Sequence, residues 1–413
     1  MSSMRCKVQI DQKHIKGALR IPGSKSISNR LLIIQALQAV NVSLQNGSNS
    51  KDTLALQNAL RSNSLVKDIG LAGTAMRFLT AFYAIQNTEI VLTGAARMKE
   101  RPINDLVEAL RVLGADITYL EKEGFPPLQI RGKTLNGGCL SIKASISSQF
   151  ISAILLIAPY LKKGIQLELI GEVLSKPYIE MTLSLMKQQG VNSTWIGNKI
   201  SVLPGVYSNQ ITEVESDWSS ISYLFEVLAL SDSGEISVSQ VLENSSQGDS
   251  IIMELYQSFG IRSRIDNKVL TLRKIPGFEL PKFLEFDCKA TPDLAQTIAV
   301  TACGLGVCVK ITGLFNLPLK ETDRLQALQN ELVKCGAEVL ITNNHTLHID
   351  PLSVFPCIDL EFKTYQDHRM AMSLAPLALK AKSVLIHNSE VVNKSYKSYW
   401  EDLQKLSFNL ILH

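Results

Sequence analysis

The chain has 413 residues, 46% hydrophobic and 19% charged, which excludes disordered, collagen-like and disulfide-scaffold classes and leaves room for two or three domains. Its 42 Lys and Arg against 38 Asp and Glu give a net charge of +4, too little to coat a polyanion, so no nucleic-acid partner is expected. Seven cysteines without a Cys-x-x-Cys pair exclude a disulfide framework or zinc ribbon and fit a reducing cytoplasm. No apolar run follows the N-terminal charges, and the densest apolar stretch, residues 150–161, is shorter than the roughly 18 residues of a spanning helix, so neither a signal peptide nor a membrane segment is expected.

In chain order, a helix begins at Ser24 and a second, near Asp52, ends in a shortened copy of a stop at Leu56 to Leu60. A strand over 89–92 leads to a helix stopped by Gly114, and one over 164–169 to a helix stopped by Gly190. Strands over 234–238 and 308–312 lead to helices stopped by Gly260 and Gly336. A strand over 383–387 leads to a last helix that ends near Ser407 without a glycine. Glycine at the residue after a helix accepts the left-handed conformation that closes it. His345 and His348 are expected in one strand on opposite faces, which argues against a metal site there.

Each stop belongs to a unit with two polar clusters ahead of apolar-periodic runs. The pairs are Ser24 with Asp52, Gly73 with Arg101, Ser147 with Ser175, Asp217 with Asp249, Asp293 with Glu321, and Asp367 with Lys394, separated by 27 to 32 residues. Ser, Asp and Pro begin helices, so the clusters lie at helix N-termini. Six strand-helix-strand-helix-strand units, three per domain, fill the chain, with a break near residue 215.

Helix N-termini attract anions, and Lys25, Arg30, Arg77, Arg101, Lys320, Arg324, Arg369 and Lys394 stand at or near these ends, which together point to a phosphate and carboxylate pocket. Single serines and cations at such places are more often caps or solvated charges. The stretch 22–30 fails the Walker spacing, so an ATPase is disfavoured. Asp52, Asp293 and Glu321 beside cations, and His368 beside Arg369, are the acid and base candidates, with their protonation left open by sequence.

The motifs Pro22-Gly-Ser-Lys-Ser-Ile-Ser-Asn-Arg30, Ala72-Gly-Thr-Ala-Met-Arg77, Arg97-Met-Lys-Glu-Arg-Pro102, Ser147-Ser-Gln149, Ser175-Lys-Pro-Tyr178, Lys320-Glu-Thr-Asp-Arg324 and Asp367-His-Arg-Met370 resemble, in order and over nearly the whole chain, those of the EPSP synthase (3-phosphoshikimate 1-carboxyvinyltransferase) family. The resemblance implies two inside-out α/β barrel domains, each built from three repeated βαβαββ units. It implies domains of 1–22 plus 216–413 and of 23–215, hinged near 22–24 and 215–217, with the active site in the cleft between them. It implies transfer of the enolpyruvyl group of phosphoenolpyruvate to the 5-hydroxyl of shikimate 3-phosphate with no metal or organic cofactor. A monomer is expected.

By the same resemblance Lys25, Ser26, Arg30, Ser147, Ser148, Gln149, Ser175, Tyr178, Asp293, Asn316 and Lys320 hold shikimate 3-phosphate. Lys25, Gly73, Arg101, Gln149, Arg324, Arg369 and Lys394 hold phosphoenolpyruvate. Asp293 is expected as the base for the 5-hydroxyl, Glu321 with Lys25 for proton traffic at the methylene carbon, and His368 in support. Leu71, Phe78 and Trp218 depart from the family pattern, where asparagine, proline and a small residue are usual, and Leu71 is expected to weaken glyphosate binding. Two rivals are the related transferase acting on UDP-N-acetylglucosamine, disfavoured because residues 93–102 lack a cysteine, and a non-catalytic binder of phosphorylated metabolites, disfavoured by the carboxylates beside the cations.

Overall fold

A computed structural model describes residues 4–40, 43–145, 147–209 and 213–413. Its contacts divide the chain into two units, Met1–Pro22 with Glu215–His413, and Gly23–Val214. Glu215, placed on sequence with the 23–215 half, groups with the other unit, where its Oε1 accepts from Ser245 Oγ at 2.7 Å.

Among the described residues one sheet pattern repeats five times. In the Gly23–Val214 unit, strand Val66–Asp68 runs parallel to Glu89–Thr93, which pairs antiparallel with Leu128–Arg131, which in turn pairs with Asp116–Tyr119 at the edge. The parallel pair needs a crossover, supplied by helix Gly73–Ala84, and a second helix, Asn104–Val112, leads to the edge strand. Gly138–Lys143, Ile165–Ile170, Lys199–Val202 and Ser193–Ile196 repeat the order. The other unit holds three such sheets, and the first residues of the chain complete two of them. His14–Leu19 is the parallel first strand beside Ser233–Ser239, and Arg5–Gln9 lies between Ser383–His387 and Asn409–Leu412.

The remaining repeat contributes helices Lys25–Leu37 and Lys51–Arg61, and Gln45 forms an isolated parallel bridge to Glu213. Its second helix ends at Ser62 with extended backbone rather than a left-handed stop. The glycine stops are left-handed, with φ of +103°, +91°, +75° and +82° at Gly114, Gly190, Gly260 and Gly336. Ser407 adopts φ of +71° at the matching place, paying the Cβ penalty that glycine avoids. His345 lies in the turn before strand Thr346–Asp350 rather than within it, stacked on Phe315 with ring centroids 4.1 Å apart.

Helices, not sheets, fill the middle of each unit. Every residue of Gly73–Ala84 is buried except Thr74, every residue of Ser148–Ile157 except Gln149, and every residue of Trp218–Leu230 except Ser219. A helix apolar on all sides demands burial on all sides, whereas the surrounding strands alternate buried and exposed residues as sheets with one solvated face do. The single open residue of each helix is the second of its first turn. These three repeats therefore bury their first helix and leave only its N-terminal end accessible.

Candidate active site

Within the Gly23–Val214 unit, Ser24 caps helix Lys25–Leu37, its Oγ accepting from Ile27 N at 3.4 Å. Lys25 Nζ stands 3.4 Å from Asp52 Oδ2, in the first turn of the next helix. Arg30, 3% exposed, donates through Nε to Thr182 Oγ1 at 2.7 Å, through Nη1 to the Ser26 carbonyl at 2.9 Å, and through Nη2 to Ser152 Oγ and the Tyr178 carbonyl at 3.2 and 3.1 Å. Four of its five donors are thus engaged, leaving one on Nη1 for a ligand. Burial pulls the guanidinium down to about 10, so it stays charged near neutrality. Phe78 lies under it, the ring centroid 5.4 Å from Cζ, a cation–π contact that proline could not make.

Ser147 caps helix Ser148–Ile157 by accepting from Gln149 N at 3.4 Å, with Ser148 buried and Gln149 partly open. Ser175 starts helix Lys176–Gln188 from a left-handed φ of +53°, and the Tyr178 carbonyl is the one that meets Arg30.

Arg101 is the most suggestive cation of this unit. It is 8% exposed, and its Nε is buried with no hydrogen-bond partner. The guanidinium lies against Gly73, where an added Cβ would stand 2.7 Å from Nη1 and 3.1 Å from Cζ. A buried, unsatisfied cation at a helix N-terminus is costly without an anion and suited to one. Arg77 differs from the expectation for the basic residues. It turns inward to the carbonyls of Gly73 and Pro102, at 3.2 and 3.1 Å, and serves the local structure.

In the other unit, Arg324 begins helix Arg324–Leu332 behind the cap Asp323 and is 1% exposed. Its Nε and Nη2 donate to Asp367 at 2.7 and 3.3 Å, Nη1 to Asp293 Oδ1 at 3.1 Å, and Nη2 to Glu321 Oε2 at 3.1 Å. Burial acts to lower the affinity of this guanidinium for its proton, but the charges of Asp367, Glu321 and Asp293 outweigh it and the net shift is upward. Asp293 Oδ2 also accepts from Arg369 Nη2 at 2.7 Å, Lys320 Nζ stands 3.9 Å from Oδ1, and Lys394 Nζ lies 3.2 Å from Glu321 Oε1.

Asp293, Glu321, Lys320, Arg324, Arg369 and Lys394 therefore form one charged cluster, with Asp367 as its buried anchor. His368 is buried, its Nδ1 3.5 Å from Asp367 Oδ1. Asn316 is half-buried at the start of the 3-10 turn Leu317–Leu319. Trp218 is fully buried, its backbone N–H donating to Gln247 Oε1 at 3.1 Å.

Sequence reasoning missed the supports. Thr182 and Ser152 orient Arg30, Tyr223 accepts from Arg369 Nη1 at 3.4 Å, and Asp249 accepts from Ser219. Asp249 was visible only as half of a repeated pair. Among the described residues no group of three or more His, Cys, Asp or Glu could hold a metal ion, and no helix is long and apolar enough to cross a membrane.

Repeated α/β units with carboxylate–cation clusters and a buried guanidinium at their helix N-termini are suited to small polyanionic ligands. The model of the EPSP synthase (3-phosphoshikimate 1-carboxyvinyltransferase) family matches residues 10–62 and 60–403. A 3-phosphoshikimate 1-carboxyvinyltransferase of Bacteroides fragilis is 43% identical over 397 residues, covering 96% of each chain. One of Histophilus somni is 36% identical over 427 aligned positions, covering 96% of this chain and 97% of its own. A solved EPSP synthase from Acinetobacter baumannii shares the fold, with a TM-score of 0.77 over 100% of both chains at 21% identity. The chain belongs to the EPSP synthase family.

Proposed function

We propose that the two residue sets described above serve one reaction, the transfer of the enolpyruvyl group of phosphoenolpyruvate to the 5-hydroxyl of shikimate 3-phosphate with release of phosphate. The protein is a transferase of the shikimate route to aromatic amino acids. The observation that carries the residue assignment is the pairing of Asp293 with two guanidiniums, Arg324 and Arg369, while it remains 18% exposed.

The two substrates bring two phosphates at about −1.5 to −2 each and two carboxylates, roughly −5 to −6 in all. Arg101, Arg324, Arg369 and Lys394 take phosphoenolpyruvate, with Gly73 keeping Arg101 in place. Lys25, Ser26, Arg30, Ser147, Ser148, Gln149, Ser175, Tyr178, Asn316 and Lys320 take shikimate 3-phosphate. As substrate anions draw on Arg369 and Lys394, Asp293 and Glu321 lose part of their pairing and gain proton affinity. Glu321 with Lys25 then delivers a proton to the methylene carbon, and the 5-hydroxyl attacks the resulting cationic carbon. Its proton passes to Asp293; the C–O bond to phosphate then breaks while the new methyl group returns a proton to Glu321, which restores the double bond of the enol ether. His368 holds Asp367 and, through it, Arg324.

Neither step calls for a metal or organic cofactor. The chain acts as a monomer in the cytoplasm, a reading supported by its cysteine usage and by both residue sets residing in one chain.

The test is phosphate release from phosphoenolpyruvate with each acceptor. Release is expected with shikimate 3-phosphate, and release only with UDP-N-acetylglucosamine overturns the reading. Asp293→Asn and Glu321→Gln are expected to lower kcat about 100-fold or more with little change in KM; near-normal turnover in both rejects the assignment of these carboxylates.

A further inference from the structure

Asp249 has no part in the reaction as described, yet it adjoins its centre. It lies in the 3-10 turn Gly248–Ile251 and is 4% exposed. Its Oδ2 accepts from Ser219 Oγ, and its Oδ1 is buried without a hydrogen-bond partner. Gln247 fixes the segment, accepting from Trp218 N at 3.1 Å and donating to the Ser216 carbonyl at 2.9 Å. A buried carboxyl with an unbonded oxygen costs stability, and its packing gives no return for that cost.

Ser219 supplies the connection. It is the one open residue of helix Trp218–Leu230, at the place that Gln149 and Thr74 hold in their helices. One turn on, and so on the same face, Tyr223 OH accepts from Arg369 Nη1 at 3.4 Å, and Arg369 Nη2 holds Asp293 Oδ2 at 2.7 Å. One helix face thus binds Asp249 at one turn and touches the Asp293–Arg369 pair at the next. The charges that act on Asp249 are those of Asp293 in turn Pro292–Leu294, Arg369 in helix His368–Leu374 and Asp217 at the helix cap, and Asp249 acts in turn on the Cys288 thiol. Glu254, on the adjoining helix Ile252–Leu255, is exposed.

We propose that Asp249 is a positioning carboxyl that tunes the base. Charged, it competes with Asp293 for Arg369 and leaves Asp293 more basic; protonated, it cedes Arg369 to Asp293 and weakens the base. The inference rests on the reading of Asp293 as base. Burial first, and then the charge of Asp293, push the Asp249 carboxyl up to about 7. Its change of state therefore falls near neutral pH.

The experiment is the pH profile of kcat with both substrates saturating. The wild-type protein should lose turnover from pH 8 to pH 6. Asp249→Asn, with no charge to lose, should be flat over that window and about threefold slower at pH 8, the effect of half of a one-unit change in base strength. Ser219→Ala removes a hydrogen bond that favours the charged form, so its limb should move to higher pH by about half a unit. An Asn variant that keeps the wild-type limb, or loses turnover equally at every pH, overturns the proposal. If that variant does not fold, the direction of the Ser219→Ala shift decides. Turnover kept in Asp293→Asn removes the base reading and this proposal together, whereas turnover lost there with an unmoved limb in Asp249→Asn removes the proposal alone.

Discussion

Adding one methyl group at Gly73 separates anion binding from folding. The new Cβ would stand 2.7 Å from Arg101 Nη1 and 3.1 Å from both Cζ and Nη2. Unstrained contacts need about 3.5 Å, so the flexible guanidinium must retreat by roughly half an ångström or more while the helix stays in place. Gly73 is the first residue of helix Gly73–Ala84, where alanine is favoured over glycine by up to about 1 kcal/mol. The fold should therefore hold or gain slightly.

The loss falls on whatever anion Arg101 binds. A hydrogen bond to a charged group contributes about 1.5–3 kcal/mol, or roughly 10- to 100-fold in affinity. Steady-state kinetics of Gly73→Ala should show KM for phosphoenolpyruvate raised by that factor, KM for shikimate 3-phosphate unchanged, and a melting temperature at or above that of the wild type. An unchanged KM for phosphoenolpyruvate, or an equal rise in both constants, would refute the argument.

Three further outcomes follow from the same geometry. Arg324→Lys keeps the charge but cannot reach Asp367, Asp293 and Glu321 together, so urea unfolding should reveal a loss of about 3–5 kcal/mol; an unchanged midpoint means the carboxylates repack. Asp249 has a folded pKa of about 7, above the roughly 3.9 of an unfolded chain, so it costs nothing below pH 4 and progressively more as pH rises to 7. Asp249→Asn should accordingly be more stable than wild type at pH 8, by on the order of 2–4 kcal/mol, with the gap closing toward pH 4, and a pH-independent difference would contradict this. Leu71→Asn restores an amide where the family usually has one and should tighten glyphosate inhibition about fivefold, the effect of one added hydrogen bond; an unchanged inhibition constant clears Leu71 of responsibility.

Helix ends and second strands were legible in the chain because both have local causes. Gly114, Gly190, Gly260 and Gly336 close helices as expected, and Cys308–Thr312 and Ser383–His387 have the bounds their apolar runs suggested. The motif residues were legible for the same reason, since caps such as Ser24, Ser147 and Asp323 act on the next two or three residues. What a side chain does across repeats was not. Arg77 and Arg101 look alike in sequence, yet one spends its donors on carbonyls while the other keeps Nε unbonded beside Gly73. Asp249 could be counted but not weighed, because its importance depends on burial and on Asp293, 44 positions away in sequence. That the described residues of the first repeat form no sheet escaped notice because its helices carry the same caps as the others.

The two short strands at the start of the chain impose a schedule on its birth. Arg5–Gln9 and His14–Leu19 leave the ribosome well before their partners, residues 233–239, 383–387 and 409–412. At about 5–20 residues per second, the opening strand waits roughly 20 to 80 seconds for a neighbour. The Gly23–Val214 unit is synthesised whole in that interval, while the opening segment trails as an unpaired edge exposed to proteases and to other nascent chains.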